Sequence, residues 1–419
     1  MSTITTSRPS STTSPIDRAL AALRSGGMVV VADDATRENE ADLIWSAATA
    51  TTEQLALAIR YSSGLICVPM RASRLDALGI PMMTATNTDP HETAFTVSTD
   101  AREGVTTGIC AADRTRTIRL LADARTRPGD LVHPGHVFPL RAREEGVLVR
   151  RGHTEAAVDL MRLAGLPEVG VLVELVNDDG TMKRGSQVID FAAEHDLPVI
   201  SISDIAALRW RQEQLVEEVA TTTLPTRYGV FTAHAFRDVL GTELVVLTVG
   251  EVDGTDVVTR VHSGCVTGDV LGSLRCDCGF QLDTALQLLQ DEGRGALVYL
   301  PSQEGRGIGL ASKLKAYALQ DAGLNTVEAN ERLGLPVDAR DYGAASQALR
   351  ALRVRSVRLL TNNPEKVEAL EALGVPVTER VGRAAHVTED NRRYLCTKRD
   401  RMGHDLRGLE AVGADGSLR

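Results

Sequence analysis

Short apolar, β-branched runs that alternate with helical patterns limit the possible folds of this chain more than any other feature. They recur along the whole sequence, from Met28–Ala32 to Val357–Leu360. Strand and helix patterns in alternation are typical of α/β and α+β domains, in which helices cover a sheet. We therefore expect a two-domain α/β (α+β) protein in which each half is a mixed sheet with flanking helices.

The individual runs predict where the strands and helices lie. In the first half, strands are predicted at residues 28–32, 64–68, 94–97, 136–138, 169–174 and 198–202, and helices at 52–61, 114–124, 153–164 and 187–194. In the second half, strands are predicted at 243–247, 257–260, 296–300 and 357–360, and helices at 281–290, 309–320 and 367–373.

The length of 419 residues exceeds one ordinary hydrophobic core and predicts two domains. A Glu- and Gln-rich amphipathic pattern runs from Ile205 to about Ala220, and Thr221–Pro225 breaks it. We expect a first domain over residues 17–210, the end of a linker helix over 211–223 and a second domain over 224–410. Residues 1–16 and 411–419 are predicted to be disordered tails.

Composition excludes several classes of protein. The net charge of -10 argues against broad nucleic-acid binding, although local Arg and Lys clusters can still bind phosphate. Six cysteines are too few and too clustered for a disulfide framework. No apolar run has the length of a membrane span, and the N-terminal residues lack a signal or transit pattern. We expect a cytoplasmic protein.

Three cysteines in one short segment indicate a metal site. Cys265, Cys276 and Cys278 follow a predicted strand, and on an extended backbone residues two apart project to the same face. Three thiolates without an obvious fourth ligand leave a coordination position open, as in catalytic zinc sites. The alternatives are a structural zinc knuckle with His262 as fourth ligand, or three ordinary buried thiols.

An acidic segment follows the first predicted strand. Asp33–Asp42 contains six charged residues, five of them acidic, and oxygen-rich clusters of this kind suit Mg²⁺. Arg37 within it offers a contact to a phosphate or a hydroxyl group. A solvated acidic loop is the alternative if the segment stands alone.

Further polar residues of the first half could complete a site. In Arg150–Glu155, Thr154 is a plausible helix N-cap, His153 a possible metal ligand and Arg150 a phosphate contact. The Gly104–Gly108 and Pro134–His136 segments add polar loops. Glu174 ends an apolar strand, where an ionised carboxylate is costly without a partner.

Four ordered motifs give the first half a family resemblance. Asp-Asp-x-x-Arg-Glu-Asn-Glu, Gly-Val-Thr-Thr-Gly, Pro-Gly-His-Val-Phe-Pro-Leu-Arg and Gly-His-Thr-Glu resemble 3,4-dihydroxy-2-butanone 4-phosphate synthase over nearly all of residues 17 to 205. The resemblance implies Mg²⁺ (or Mn²⁺) on Glu38 and His153, and turnover that depends on His136 and Glu174. It implies that D-ribulose 5-phosphate is held by Arg37, Glu38, Asp42, Arg150, Arg151, Gly152, His153, Thr154 and Glu174. Cys110 stands where the family commonly has Ser, and we expect a small buried thiol there.

The second half has weaker individual signals. Gln303–Leu310 is a glycine-rich turn between a predicted strand and helix, but its spacing fits neither common phosphate-binding pattern. Asp338–Tyr342 and Thr361–Lys366 supply an acid, phosphate-competent cations and turn residues. Taken singly, each is better explained as a capped loop with surface charges.

Together with the C-x10-C-x-C spacing, these segments resemble GTP cyclohydrolase II from about Leu224 to Leu406, including the closing Tyr394–His404 stretch. The resemblance implies Zn²⁺ on the three cysteines, Mg²⁺ accompanying GTP, Asp338 as proton acceptor, Arg340 as a nucleophile on the pyrophosphoryl side and Tyr317 lining the site. A zinc-activated water would open the purine ring at C8 and release formate. The implied GTP-binding residues are Arg260, Val261, His262, Ser263, Gly264, Gln281, Glu304, Gly305, Arg306, Thr326, Thr361 and Lys366.

Two departures from the second family pattern bear on the reaction. Gly264 stands where the family usually has Glu, and Pro301–Ser302 replaces an arginine. Losing a carboxylate and a cation beside the nucleotide could lower the affinity for GTP or alter the product.

The resemblances predict a bifunctional enzyme that makes both precursors of riboflavin, with homodimerisation expected from both families. One rival is a single-activity enzyme whose second half is structural or regulatory. Another is a zinc-organised nucleotide-binding module without catalysis.

Overall fold

The computed structural model describes residues 14–33, 37–382, 384–406 and 409. Within them the chain forms two compact units, which divide between Ala206 and Ala207. The tail predicted at 411–419 lies outside the described residues, as do residues 1–13 of the tail predicted at 1–16. None of the described helices combines the length and apolar character that a membrane span requires.

The first unit is built on a seven-stranded mixed sheet with strand order β4-β5-β3-β6-β2-β1-β7. Its strands are β1 (Met28–Ala32), β2 (Ala41–Ser46), β3 (Cys67–Met70), β4 (Thr99–Ala101), β5 (Leu131–Arg141), β6 (Gly170–Glu174) and β7 (Val199–Ser201). Its helices are α1 (Pro15–Arg24), α2 (Thr52–Tyr61), α3 (Ala72–Leu78), α4 (Ala111–Ala122), α5 (His153–Leu163) and α6 (Ser186–Glu194), and α7 (Ile202–Gln212) crosses the division between the units.

The central strands of this sheet are buried on both faces. All six residues of β2 are buried, including Trp45. Helices begin where the sequence supplies a cap: Thr51 and Gln54 form a capping box at α2. The result is one apolar core that joins sheet residues such as Val30 and Leu43 to helix residues such as Ile118.

The second unit contains another seven-stranded mixed sheet, with order β14-β13-β11-β12-β10-β9-β8. Its strands are β8 (Val216–Thr226), β9 (Gly229–Asp238), β10 (Glu243–Val249), β11 (Val257–Ser263), β12 (Gly295–Leu300), β13 (Val357–Leu360) and β14 (Val377–Val381). Its helices are α8 (Cys278–Glu292), α9 (Leu310–Asp321), α10 (Thr326–Arg332), α11 (Gly343–Ala351), α12 (Pro364–Ala372) and α13 (Arg392–Met402).

Strands β14, β13, β11 and β12 pair in parallel with one another. Strand β12 then pairs antiparallel with β10, and the pairs β10–β9 and β9–β8 are also antiparallel. The carboxyl ends of the adjacent parallel strands β13, β11 and β12 therefore meet at one edge. Loops that leave this edge are the usual place for a ligand site in an open α/β sheet.

The predicted class, two α/β units each with a mixed sheet and flanking helices, is confirmed. Three predictions of local structure were wrong. The helix expected to reach Ala220 ends at Gln212, because the β-branched residues after it form β8, which pairs with β9. Residues 94–97 make only isolated bridges. The strand expected at 64–68 begins at Cys67.

Candidate active sites

The acidic segment of the first unit folds into a compact ionic cluster. Arg37 Nη1 lies 2.6 Å from Asp33 Oδ2, and Arg37 Nη2 lies 2.9 Å from Glu38 Oε1. Asp42 is 1% exposed on the all-buried strand β2. Its pKa is raised well above the usual value by burial, and next by the negative charges of Glu174 and Glu38. A buried carboxyl surrounded by acids is either protonated or compensated by a cation, so the cluster suits the predicted metal ion.

His153 is oriented as a metal ligand would be. It is the first residue of α5, and its Nε2 lies 3.0 Å from the Val31 carbonyl oxygen, which can only accept a hydrogen bond. The proton therefore sits on Nε2, and the lone pair of Nδ1 faces Asp42 Oδ1 at 3.5 Å and Glu38 Oε2 at 4.0 Å. Burial lowers the pKa of His153, so the ring is neutral and able to ligate.

The catalytic candidates His136 and Glu174 lie at the same end of the sheet. Cys67 of β3 pairs with Phe138 on one side and with Leu172 on the other. His136 lies two residues before Phe138 on β5, and Glu174 lies two residues after Leu172 at the end of β6. Glu174 is also the cross-strand partner of Asp42. The sheet therefore places Glu174 beside Asp42 of the acidic cluster, and His136 lies on β5, separated from β6 by β3.

A carboxylate that the sequence analysis did not single out orients His136. Asp100 Oδ2 lies 2.7 Å from His136 Nδ1, and Asp100 Oδ1 accepts from the His136 backbone N–H at 2.9 Å. Gly108 allows this contact, since a Cβ there would lie 2.1 Å from Asp100 Oδ2. Asp100 follows a predicted strand by only three residues, but a single Asp without a recognisable motif gave no signal.

Two expectations for the first unit need correction. Thr154 is not the N-cap of α5: Gly152 is, and His153 and Thr154 are the first helical residues. The Cys110 thiol is exposed rather than buried, because it caps α4, with Sγ accepting from the Asp113 N–H at 3.4 Å.

In the loop before α5, Arg150 contacts other residues of the first unit. Its Nη1 lies 2.6 Å from Glu155 Oε2, and its Nη2 donates to the His91 carbonyl at 2.8 Å. Gly152 lies under this guanidinium, where a Cβ would be 2.2 Å from Arg150 Nη1. Arg151 donates to Ser203 at 3.4 Å. Phosphate binding by Arg150 and Arg151 stays a prediction.

In the second unit the three predicted cysteines converge. Their ligand atoms lie within 4.8 Å of one another, and they form the one group of this kind found among the described residues. Cys265 Sγ and Cys276 Sγ are 3.7 Å apart, close to the separation of about 3.8 Å that two sulfurs have on a tetrahedral ion with Zn–S bonds of about 2.3 Å. The sulfur geometry and the thiol donor set fit zinc.

The backbone around the cysteines differs from the expectation of an extended segment. Cys276 lies in a turn and Cys278 is the first residue of α8, so the two thiols converge through a strand-to-helix connection. Gly268 forms the wall opposite them, because a Cβ there would lie 2.8 Å from Cys276 Sγ and 3.2 Å from Cys265 Sγ. The cradle is therefore closed by backbone.

His262 is not a fourth ligand in this arrangement. It is 1% exposed, and its Nε2 lies 3.1 Å from Asp269 Oδ2, which also accepts from the Tyr299 hydroxyl at 3.0 Å. Asp269 further accepts from the Cys265 backbone N–H at 2.9 Å. His262 therefore helps to fix the turn that carries Cys265, and it is not placed as a fourth ligand. An open coordination position stays a prediction.

Lys313, which the sequence analysis did not name, supports the thiolate. Its ammonium donates to Cys265 Sγ at 3.0 Å, Thr267 Oγ1 at 2.8 Å and Glu304 Oε1 at 2.6 Å. Hydrogen bonds with the Cys276 and Cys278 thiols, and then with Lys313, lower the pKa of Cys265. The signal for Lys313 was its place one turn into α9, directly after the glycine-rich loop.

A cavity, partly open to solvent, lies beside the sulfurs. Six cationic side chains line it: Arg260, Arg306, Lys313, Arg340, Lys366 and Lys398. Burial, followed by the charges of Arg260 and Arg340, lowers the pKa of Lys366 well below its usual value. Lys313, Arg340 and Lys398 are paired with Glu304, Asp338 and Asp277. The positive charge of the other three suits an anionic ligand such as a polyphosphate.

Most predicted nucleotide contacts line this cavity. Those that do are Arg260, His262, Ser263, Gly264, Gln281, Gly305, Arg306, Thr326, Thr361 and Lys366, together with the three cysteines, Tyr317 and Arg340. Val261, Glu304 and Asp338 do not line it. The Val261 carbonyl accepts from Lys366 Nζ at 2.9 Å, and Glu304 binds Lys313 and the Val266 N–H, so both act one layer behind the cavity.

The glycine-rich loop turns sharply at the cavity wall. Gly305, Arg306 and Gly307 all have positive φ angles, of 61°, 65° and 88°. This conformation is strained for Arg306, and such strain collects at ligand-binding sites. Both guanidinium nitrogens Nη1 and Nη2 of Arg306 are buried without a hydrogen-bond partner among the described residues. A phosphate group could accept hydrogen bonds from both nitrogens.

The two departures from the second family pattern are neighbours in space. The Gly264 N–H donates to the Leu300 carbonyl at 2.9 Å. A Cβ on Gly264 would lie 3.0 Å from Pro301 Cα, which leaves little room for a side chain. The substitutions at 264 and 301 therefore alter one patch of the cavity wall, while the sulfurs and the six cations are intact.

Comparisons with known proteins agree with this division. A family profile described as 3,4-dihydroxy-2-butanone 4-phosphate synthase matches residues 17–208, and one described as GTP cyclohydrolase II matches residues 217–382. The chain is 55% identical over 399 residues to riboflavin biosynthesis protein RibBA of Nocardia farcinica, covering 94% of this chain and 96% of that protein.

Other relatives extend the similarity. RibBA of Salinispora arenicola is 57% identical over 401 residues, with 95% of this chain and 96% of that protein covered. The chloroplastic bifunctional riboflavin biosynthesis protein RIBA 1 of Arabidopsis thaliana is 49% identical over 404 residues, covering 96% and 74%. Among solved structures, RibBX of A. baumannii, a two-domain 3,4-dihydroxy-2-butanone 4-phosphate synthase, matches with a TM-score of 0.66 at 32% identity, covering 88% of this chain and all of that one.

Proposed function

The chain belongs to the family of bifunctional riboflavin biosynthesis proteins, and from this premise we propose how its two sites hold their substrates and metals. As a member of that family it is a 3,4-dihydroxy-2-butanone 4-phosphate synthase and a GTP cyclohydrolase II. One reaction converts D-ribulose 5-phosphate to 3,4-dihydroxy-2-butanone 4-phosphate and formate. The other hydrolyses GTP to a diaminopyrimidinone nucleotide, formate and pyrophosphate.

The first site takes Mg²⁺, or Mn²⁺, between Glu38 and His153. The support is the orientation of His153, whose Nε2–H is held by Val31 and whose Nδ1 faces Glu38 and Asp42. A divalent ion there stabilises negative charge on the oxygens of an enediolate when it is bound. The ion also compensates the buried negative charge around Asp42.

His136 and Glu174 move the protons in this site. Asp100 holds the His136 ring through Nδ1, which leaves Nε2 to face the substrate as a general base or acid. Glu174 receives a hydrogen bond from Ser63 Oγ at 3.1 Å and stands across from Asp42. We assign Arg37 and the N–H groups of His153 and Thr154, the first residues of α5, to the substrate's hydroxyl and phosphate groups.

The second site takes GTP in the cationic cavity and Zn²⁺ on Cys265, Cys276 and Cys278. The observation that carries this proposal is the convergence of three thiols, with a sulfur separation of 3.7 Å, at the wall of that cavity. When bound, zinc supplies Lewis-acid chemistry and makes water a better nucleophile for C8 of guanine. Arg260, Arg306 and Lys366, with Mg²⁺, neutralise the triphosphate.

Asp338 and Arg340 act as an ion pair. Arg340 Nε lies 2.8 Å from Asp338 Oδ1. Burial lowers the pKa of the guanidinium, but the hydrogen bonds and charge of Asp338 outweigh burial and hold that pKa above its usual value. A guanidinium held charged in this way is a poor nucleophile, so the pair supports stabilisation of the leaving pyrophosphate better than covalent attack.

The variant Arg340→Lys separates these two roles. If Arg340 acts through its charge, the lysine variant retains roughly a tenth or more of the GTP turnover, and intact-protein mass spectrometry during turnover finds no nucleotide adduct. A nucleotide adduct on Arg340 in the wild type that is absent from the variant would show that Arg340 acts as a nucleophile.

Two single-site variants test the assignment of the sites. Glu38→Gln is expected to abolish formate release from ribulose 5-phosphate and to leave formate release from GTP unchanged. Cys276→Ser is expected to do the reverse, with a folded second unit. Loss of both activities in either variant would contradict two independent catalytic sites. A second unit that unfolds in Cys276→Ser would favour a structural zinc.

The remaining proposals concern assembly and location. We place the enzyme in the cytoplasm as a homodimer. Exposed apolar side chains cluster around the zinc turn, among them Val270 and Leu271, each 71% exposed, and Leu274 at 57%. Such a patch is typical of a surface that another subunit covers. Light scattering of the purified protein measures the mass directly.

A further inference from the structure

The helix α13 lies beyond the segment that matches the cyclohydrolase family profile, which ends at residue 382, yet it forms part of the cavity wall. Tyr394 and Lys398 on α13, and His404 just after it, line the cavity. The helix is anchored from behind by Leu395, which is fully buried and packs with Leu406 and Leu409. Its position is therefore set by its own small core.

Lys398 is the exception among the cations of this helix. Of the five Arg and Lys residues in α13, the other four are exposed or partly exposed, whereas Lys398 is 9% exposed. Burying an ammonium group is costly unless it has a partner. Lys398 has one: its Nζ lies 3.1 Å from Asp277 Oδ1, and Asp277 is 2% exposed.

Asp277 stands between two of the proposed zinc ligands in the sequence. Cys276 precedes it and Cys278 follows it, so the orientation of the Asp277 carboxylate is coupled to that of both thiols. Its second oxygen, Oδ2, accepts from Gln281 Nε2, and Gln281 Oε1 in turn accepts from Arg260. Both carboxylate oxygens are therefore held, one from α13 and one from α8.

The same lysine connects the zinc turn to the glycine-rich loop. Lys398 Nζ lies 4.5 Å from the centre of the Tyr394 ring, and the Arg306 guanidinium lies 5.9 Å from it. Two cations around one aromatic ring are a favourable arrangement when each also has an anion to bind. Lys398 has Asp277, and Arg306 faces the cavity.

We propose that Lys398 is a positioning residue of the metal site, which acts through Asp277 to hold the Cys276–Cys278 turn and to offset its negative charge. Three thiolates around a divalent ion carry an excess negative charge, and an uncompensated Asp277 beside them would add another. A site with that charge would bind a triphosphate less well. The lysine thus makes a trithiolate site compatible with GTP.

This inference rests on the proposed zinc site, and the experiment separates the two. Zinc affinity is measured by competition with a chromophoric chelator, and cobalt-substituted protein reports ligand geometry through its thiolate absorption. The variants are Lys398→Met, Lys398→Arg and the double variant Asp277→Asn with Lys398→Met. Arg401→Met, on an exposed position of the same helix, is the matched control.

Lys398→Met is expected to weaken zinc binding about 10- to 100-fold, the usual effect of losing a group that orients metal ligands. Lys398→Arg should lose less, and Arg401→Met nothing. The double variant should recover most of the affinity, because it removes the unpaired carboxylate together with the cation. Formate release from ribulose 5-phosphate checks in each sample that the first unit is intact.

Unchanged zinc affinity in Lys398→Met would overturn the positioning role, and so would a double variant no better than the single one, since a lysine that only packs α13 cannot be rescued at position 277. If Lys398→Met unfolds the second unit, the zinc affinities of the double variant and of Lys398→Arg decide whether Lys398 has a positioning role. Wild-type protein that binds no zinc would instead defeat the proposed zinc site itself.

Discussion

The ring of His136 is held through Nδ1 by the carboxylate of Asp100, 2.7 Å away, and this one contact sets which nitrogen can take a proton from the substrate. A carboxylate in that position selects the tautomer with hydrogen on Nδ1 and stabilises the charged ring during proton transfer. We therefore expect the first reaction to depend on Asp100 as well as on the residues named from the sequence.

Asp100→Asn tests this at the residue scale. An amide can donate to Nδ1 and favour the wrong tautomer, so kcat for formate release from ribulose 5-phosphate should fall at least about 10-fold. KM should change little, because Asp100 is not placed against the substrate. Steady-state kinetics of the variant and of Asp100→Glu measure both constants. A variant with wild-type kcat would show that His136 needs no orienting partner.

Single residues also show where sequence reasoning stopped. The cysteines, His153 and the acidic segment were predicted, because their residue types and spacing carry the chemistry. Asp100, Lys313 and Lys398 were not, because a lone Asp or Lys becomes functional only through a partner far away in the chain. The steric coupling of Gly264 to Pro301 was equally invisible, since it depends on a backbone approach.

At the scale of the element, α13 forms one wall of the cavity, and His404 beyond its end also lines the cavity. His404, two residues past the end of α13, lies in a strongly positive environment. Burial, and then the charges of Lys398, Arg340, Arg306 and Lys366, lower its pKa to about 3. The folded protein therefore keeps this ring neutral down to about pH 3.

A pH dependence of stability follows. In the unfolded chain a histidine titrates near pH 6.5, so between about pH 6.5 and 3 the unfolded state binds a proton that the folded state refuses. The free energy of unfolding should fall as the pH falls through this window, by at most about 1.4 kcal/mol per unit from this group. In His404→Gln the fall between pH 7 and 5 should be smaller, as measured by calorimetry. Identical pH profiles for the two proteins would contradict a neutral, partly buried His404.

Elements with a clear period were the ones predicted well. The residues of α2 and β13 were predicted with their observed bounds, because apolar periodicity and capping residues agree there. Strand β2 was missed, since its buried run follows the acidic segment without a turn signal. The predicted helix does not extend to Ala220, because the residues from Val216 onward form β8, which pairs with β9. Pairing between strands is a long-range property that local patterns do not contain.

At the scale of the whole molecule, the chain joins two catalytic units whose sites use different chemistry. In our proposal, hard oxygen and imidazole ligands serve an enediolate in one, and thiolates serve a purine in the other. Each unit has its own sheet and its own polar cluster. The two reactions release the same product, formate, from different substrates, so either activity can be followed while the other is disabled.

The central claim is that three thiolates hold a zinc ion on which the GTP reaction depends. Elemental analysis of purified protein that is actively releasing formate from GTP tests it most directly. The account predicts about one zinc per chain on the second unit, lost together with GTP turnover in Cys276→Ser while ribulose 5-phosphate is still converted. Full GTP turnover by protein that contains no transition metal would contradict it.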